Sequence, residues 1–260
     1  MMSRYFLEVA YKGTAYSGFQ VQQNATTIQA EVENAFNTIQ RLHTEDNKVK
    51  FTGSSRTDTG VHARQNYFHF DCEAELHPQL LYKMNALLPR DIVVRSLVLM
   101  PPEAHCRFDA TSRAYQYHLH QVKDPFKQET SYYFPYTLDL QVMQQAASLL
   151  LEQTNYYAFS KTNTQVKSFQ CHIMRSSWQQ EGSSLVFSIE GNRFLRGMVR
   201  LLTASMLQLG RHKSTLEDFE NLFKHQGKCG TSVPAQGLFL EAVNYPQNYF
   251  PAVDAAFTGF

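Results

Sequence analysis

Between Tyr5 and Met100 the chain switches repeatedly between a two-residue and a 3.6-residue hydrophobic period. The order of those switches limits the available folds more than any other feature. Tyr5 to Tyr11 alternates as a strand. Ile28, Val32, Ala35, Phe36 and Ile39 recur at helical spacing, behind Thr26 and Gln29, which read as a capping box. Strand-like runs follow at Val49 to Thr52 and Tyr67 to Cys72. Leu80, Leu81, Met84, Leu87 and Leu88 make a second helix closed by Pro89, and Ile92 to Met100 is a Val- and Leu-rich strand. The order is β-α-β-β-α-β, the split arrangement of ferredoxin-like folds.

The second half repeats the pattern without evident sequence identity. Ala114 to Gln121 alternates as a half-exposed strand, and Asp139 caps a helix whose Met143, Ala146, Ala147 and Leu150 face one way. Ser168 to Trp178 and Leu185 to Gly191 form a hairpin around Glu181-Gly182. Phe194 to Leu209 reads as a helix, Ser214 with Glu217 opens another by a capping box, and Gly237 to Tyr245 is the last expected strand. Pro101-Pro102 breaks regular structure near the middle, and Lys123 to Pro135 reads as an exposed insertion. The pattern predicts two α/β halves, residues 1–105 and 106–260, with a cleft between them.

A net charge of +1 excludes a uniformly basic nucleic-acid binder, so any RNA site must come from local clustering of Lys and Arg. Cys72, Cys106, Cys171 and Cys229 are far apart and form no Cys-x-x-Cys, which argues against a zinc site or a disulfide framework. His105-Cys106 and Cys171-His172 are read as buried thiols rather than metal ligands. Met1 to Tyr11 lacks the pattern of a signal peptide, and no apolar run reaches the roughly 18 residues of a membrane span. The expectation is a reduced, cytoplasmic protein with no membrane segment.

Gly53-Ser54-Ser55-Arg56-Thr57-Asp58-Thr59-Gly60-Val61-His62-Ala63 concentrates the chemistry-bearing side chains in a loop between two strands. Loops carried on rigid sheets are where functional groups collect. An Asp in this context also forms turns with its own backbone, and Arg56 could be a solvated partner, so both readings of Asp58 stand on spacing alone. His62 is read as holding the loop at least as readily as a general base. Arg193, Arg196 and Arg200, at i, i+3 and i+7, share one face of the expected helix and continue into Arg211, His212 and Lys213. Such a stripe is usually solvated, but in a near-neutral chain it suits phosphate contact.

The loop resembles the Arg-Thr-Asp-Ala-Gly-Val-His-Ala signature of the TruA-type tRNA pseudouridine synthases, with Thr59 in place of alanine. Tyr11-Lys12-Gly13-Thr14 and Gly18-Phe19-Gln20-Val21-Gln22 resemble that family's Tyr-Asp-Gly-Thr and Gly-Trp-Gln-x-Gln, with Lys12 and Phe19 as departures. Thr27 to Glu33 resembles its first helix, Arg107-Phe108 and Arg113 to Tyr117 its Arg-Phe and Arg-x-Tyr-x-Tyr element, Gly191 to Arg200 its Gly-Asn-x-Phe-Leu-x-x-Met-Val-Arg, and Pro234 to Leu240 its closing motif.

The resemblance implies a pseudouridine synthase fold, α+β, with an antiparallel-rich mixed sheet and a positively charged cleft between two ferredoxin-like halves. It implies isomerisation of uridine at tRNA positions 38 to 40, no cofactor, no metal, and a homodimer holding the tRNA. Asp58 becomes the catalytic carboxylate, and whether it acts at C6 or C1′ stays open. Arg200 pairs with it, while Tyr115 stacks on the flipped base and Leu238 lines the pocket. On pattern alone, the favoured reading of Tyr115 is a strand tyrosine packed in the core. Arg56 joins the substrate site, Arg193, Arg196, Arg211 and Lys213 contact RNA, and Arg64, Arg107 and Arg113 are further RNA-facing candidates. Two other readings compete: a catalytically silent RNA-binding or RNA-remodelling paralogue, and an aspartate-based hydrolase, for which no partner carboxylate is found near Asp58.

Overall fold

The computed structural model describes residues 2–42, 44, 47–73, 76–77, 79–161, 166–224, 227–251 and 256–258. Its elements, in order, are β1 (Ser3–Tyr11), α1 (Ile28–Ile39), β2 (Thr52–Gly53), β3 (His62–Cys72), α2 (Leu80–Leu87), β4 (Ile92–Met100), β5 (Ser112–His120), β6 (Tyr132–Tyr133), α3 (Leu140–Leu149), β7 (Ile173–Glu181), β8 (Ser184–Gly191), α4 (Met198–Gly210), α5 (Leu216–Lys224), β9 (Leu238–Asn244) and β10 (Ala256–Thr258). The fold is α+β, and its sheet is mixed because β6 runs parallel to β5 while β1–β3, β1–β4, β4–β10, β2–β3, β5–β8 and β7–β8 are antiparallel. The chain forms two compact units, residues 1–111 with 240–260, and residues 112–239.

In the first unit the strands run in the order β10-β4-β1-β3, with β2 also on β3. β1 lies between β4 and β3, so both its edges are paired, and Phe6, Leu7 and Val9 are fully buried. One face meets α1: Phe36 packs edge-on against Phe51 and Phe70, and Phe51 stacks on Phe70 at 4.3 Å between centroids. The other face is closed by the segment after β9, where Tyr245, Tyr249 and Phe250 surround Phe6 at 6.0–6.2 Å. Each such ring contributes about 1.5–3 kcal/mol of burial.

Three local readings need correction here. The run Val49 to Thr52 enters a ladder only at Thr52–Gly53, because α1 side chains take its backbone groups. Asn37 Oδ1 accepts from Val49 N at 2.8 Å, Asn37 Nδ2 donates to Val49 O at 3.0 Å, Glu33 accepts from Phe51 N and Gln29 donates to Phe51 O. β3 instead begins at His62, inside the expected loop. The α1 cap is Thr27, whose Oγ1 accepts from Ala30 N at 3.3 Å, and not Thr26.

The second unit orders its strands β5-β8-β7. The β7–β8 hairpin turns at Gly182, whose φ of +60° suits a tight hairpin turn. α3 is capped by Asp139, which accepts from Gln141 N and Val142 N, as the sequence predicts. α4 lies deep: Met198, Leu202, Met206 and Leu209 are at most 1 % exposed, and Trp178 donates to Met206 Sδ at 3.3 Å. Gly210 lets α4 approach α3, since a Cβ there would meet Met143 Sδ at 2.4 Å.

α4 begins at Met198, four residues later than predicted, after Gly197 at φ +75°. That left-handed residue breaks the helical phase, so Arg193 and Arg196 are not on a helix with Arg200. α5 is capped by Thr215 and Asp218, which bond each other's amides reciprocally, rather than by Ser214 and Glu217. The stretch 123–135 is not wholly exposed, because Ser131 and Phe134 are buried and Tyr132–Tyr133 pairs with β5. A further strand, β10, follows β9 and pairs with β4.

Candidate active site

Within the first unit, the loop from Ser54 to Val61 is fixed from three sides. Its small hydroxyl side chains Ser54, Ser55 and Thr57 are buried, while Arg56 is exposed and Asp58 half-buried. From β3, Asn66 donates to Ser55 O at 2.9 Å and accepts from Ser54 Oγ at 2.8 Å. From β1, the Tyr11 hydroxyl bonds Thr57 Oγ1 at 2.8 Å. From the loop after β1, Phe19 N donates to Thr57 O at 3.1 Å and Gly13 N donates to His62 Nδ1 at 3.0 Å.

Two glycines make that third contact possible. A Cβ on Gly13 would stand 2.0 Å from Val61 O, and one on Gly18, at φ +97°, would stand 3.0 Å from Thr57 O. Asp58 heads a turn closed by Val61 N to Asp58 O at 3.1 Å, with Gly60 at φ +77° in the left-handed position of a type II turn. The turn-forming and site-forming readings of this segment therefore describe one geometry. The carboxylate is held at the tip of a loop whose backbone is tied down on either side.

His62 is fully buried with Nδ1 taking a backbone amide, the arrangement of a loop-holding residue. Phe19 is also structural: it is 1 % exposed, stacks on Phe68 at 4.7 Å, and occupies space that a Cβ on Gly53 would need, at 2.1 Å from Phe19 Cε1. That departure from the resembled motif sits in the core behind the loop. Arg64 is paired with Glu241 at 2.9 Å, and burial raises the Glu241 carboxyl despite that partner.

The remaining sequence candidates, Arg107 of the first unit apart, belong to the second unit. Tyr115, on β5, is half-buried and meets Phe194 edge-on at 5.0 Å. The core tyrosine of that strand is Tyr117, fully buried, with its hydroxyl donating to Pro234 O at 2.8 Å. Gly237 permits this closeness, for a Cβ there would lie 2.7 Å from both His118 O and the Tyr117 ring. Leu238 follows it, buried at the start of β9. Arg200 is half-buried in the first turn of α4 and donates from Nε to Val233 O at 2.7 Å.

Arg193 and Arg196 are exposed on the segment leading into α4. Lys161, which the sequence did not single out, packs there too: its side-chain carbons would lie 3.1–3.5 Å from a Cβ on Gly197, and its amide donates to Arg196 O. Arg113 donates to Asn192 O, and the Arg107 guanidinium lies 5.7 Å from the Phe108 ring centre. Arg211 sits 3.7 Å from the centre of the Tyr136 ring, and Lys213 is exposed beyond it.

Among the described residues one cluster has metal-ligand chemistry: His69, His105 and Cys106 bring donor atoms within 4.8 Å of one another. Its hydrogen bonds fit a protonated thiol beside neutral imidazoles. Cys106 Sγ donates to Thr52 O at 3.2 Å, and His105 Nδ1 accepts from Arg107 N and Phe108 N, which leaves its proton on Nε2. His69, 3.1 Å from Cys106 Sγ, has its pKa lowered to about 4, chiefly by burial. Burial thus keeps His69 a neutral imidazole, while backbone groups engage the Cys106 thiol and His105 Nδ1. No described helix is long and apolar enough to cross a membrane.

A family model described as tRNA pseudouridine synthase matches residues 8–109 and 146–246, spans that contain Asp58, Arg200 and Leu238. The chain is similar to the tRNA pseudouridine synthase A of Parabacteroides distasonis, at 42 % identity over 97 % of this chain and all of that one. It is similar to the proteins of the same name from Bacteroides fragilis, at 41 % over 96 % and 99 %, and Staphylococcus aureus, at 34 % over 94 % and 92 %. With the match running across both units, the chain belongs to the tRNA pseudouridine synthase family.

Proposed function

We infer that this protein isomerises uridine to pseudouridine in tRNA, at positions 38 to 40 of the anticodon arm, with Asp58 as the catalytic carboxylate. The reaction breaks the N1–C1′ bond, rotates the base and joins C5 to C1′, while the C5 hydrogen leaves to solvent and N1 gains a proton. Oxidation state is unchanged and no water is consumed, so a carboxylate, a pocket for the turned-out base and a grip on phosphates suffice. The observation that carries this reading is Asp58 itself, half-exposed at the tip of a loop tied by Asn66, Tyr11, Phe19 and Gly13.

Arg200 pairs with Asp58 and keeps it ionised, Tyr115 stacks on the displaced base, Leu238 lines its pocket, and Arg56 holds the neighbouring phosphate. The half-buried ring of Tyr115 supports its part, since the core role on that strand falls to Tyr117. Arg193, Arg196, Arg211 and Lys213 bind the tRNA backbone, joined by Lys161. The protein acts as a cytoplasmic homodimer on its tRNA. The test is incubation with unmodified tRNA transcripts and mapping by carbodiimide primer extension. Stops at positions 38 to 40 support the reading, and tRNA that is bound but never modified returns the protein to the silent RNA-binding alternative. Arg200→Ala with undiminished turnover would remove Arg200 from the site.

A further inference from the structure

On the face of β3 that meets α1, the pattern Phe70, Phe68 continues into Asn66, an amide where the strand calls for an apolar residue. Asn66 is fully buried, and a buried amide is costly unless its donors and acceptors are all used. Here they are. Nδ2 donates to Ser55 O at 2.9 Å and to the Tyr11 hydroxyl at 3.3 Å, while Oδ1 accepts from Ser54 Oγ at 2.8 Å and from its own strand neighbour Tyr67 N at 2.9 Å. Three of the four bonds leave the strand and reach the loop directly or through Tyr11, whose hydroxyl meets Thr57 Oγ1 at 2.8 Å.

We propose that Asn66 and Tyr11 are the positioning residues of the catalytic aspartate. Together they grip residues 54, 55 and 57, so the backbone is held up to the residue before Asp58. The far side of the turn is held separately, by Gly13 on His62. Neither Asn66 nor Tyr11 touches substrate in this account, and both act only by fixing where the Asp58 carboxylate stands. A buried network in which every partner is used specifies one conformation and fails as a unit. The inference rests on the reading of Asp58 as the reacting group.

The experiment is single-turnover conversion of tRNA uridine at saturating enzyme, with tRNA affinity measured separately, for Asn66→Asp, Tyr11→Phe and the double variant. Asn66→Asp keeps the shape but replaces the donor to Ser55 O with an oxygen, and Tyr11→Phe keeps the ring while removing its hydroxyl. Each single change is expected to slow the chemical step about 10- to 100-fold, the loss associated with misplacing a reacting group by about 1 Å. Affinity for tRNA should stay within about threefold of wild type, and the double variant should be no slower than the slower single one, since both act through one loop.

An unchanged rate in folded Tyr11→Phe, a loss confined to affinity, or independent multiplying effects would each overturn the proposal. If Asn66→Asp fails to fold, Tyr11→Phe decides alone. If wild type converts no uridine, the underlying reading of Asp58 fails. Hydrogen exchange of amides 54–61 in Tyr11→Phe then decides whether the network holds the loop: faster exchange supports the holding role, and wild-type protection refutes it.

Discussion

Gly13→Ala is the sharpest perturbation that the architecture of the loop allows. The new Cβ would stand 2.0 Å from Val61 O and 2.7 Å from Val61 C, backbone atoms that cannot rotate aside. Real Cβ contacts do not fall below 3.0 Å, so the two segments must separate by about 1 Å, and that movement also stretches the 3.0 Å bond from Gly13 N to His62 Nδ1. Overpacking of this kind costs about 1–3 kcal/mol. A shift of that size three to four residues from Asp58 should slow isomerisation about 100-fold. Urea unfolding reads the first effect and single-turnover conversion the second, with Gly227→Ala as control, because its Cβ meets nothing within 4 Å. A Gly13→Ala protein of wild-type rate and stability would refute the claim that this contact sets the position of the loop.

The buried His69 makes stability depend on pH. Its folded pKa, lowered to about 4 by burial, with His105 and Arg4 adding and Asp71 and Asp109 opposing, lies below the unfolded value of 6.5. The unfolded chain therefore binds a proton between pH 6.5 and 4 that the folded protein refuses, and stability falls as pH drops through that window, by up to about 3 kcal/mol. His69→Asn should flatten that part of the urea midpoint profile, and parallel profiles for the two proteins would disprove it. For the helix caps, Thr27→Ala and Thr215→Ala should each cost about 1 kcal/mol, whereas Thr26→Ala and Ser214→Ala should be nearly neutral in thermal unfolding. The reverse order would restore the caps read from sequence.

Strong periodicity was legible, and neighbouring polar residues were not. α2, β4 and α3 appear where their apolar spacing puts them, and Asp139 caps as expected because no second capping residue adjoins it. At Thr26-Thr27 and Ser214-Thr215 two adjacent residues can each cap, and the choice depends on three-dimensional context. The expected α4 began too early because the apolar spacing of Phe194 and Leu195 continues in phase while Gly197, at positive φ, interrupts the backbone. The strand expected before the loop was lost to competition from Glu33, Gln29 and Asn37, a choice made by side chains of another element. In the site, Asp58 stood out because small residues and glycines surround it. Asn66 and Tyr11 did not, although an amide breaking the apolar face of β3 was a visible sign. The cluster of His69 with His105 and Cys106 was hidden by its distance in sequence.

The central claim is that Asp58 performs the isomerisation, and tritium release tests it most directly. Joining C5 to C1′ expels the C5 hydrogen, so tRNA carrying 5-tritiated uridine reports each turnover. Wild type should release tritium from no more than the uridines at positions 38 to 40, and folded, tRNA-binding Asp58→Asn should release none above background. Release by Asp58→Asn at the wild-type rate would contradict the assignment of the carboxylate, and none from wild type with tRNA bound would contradict the activity itself.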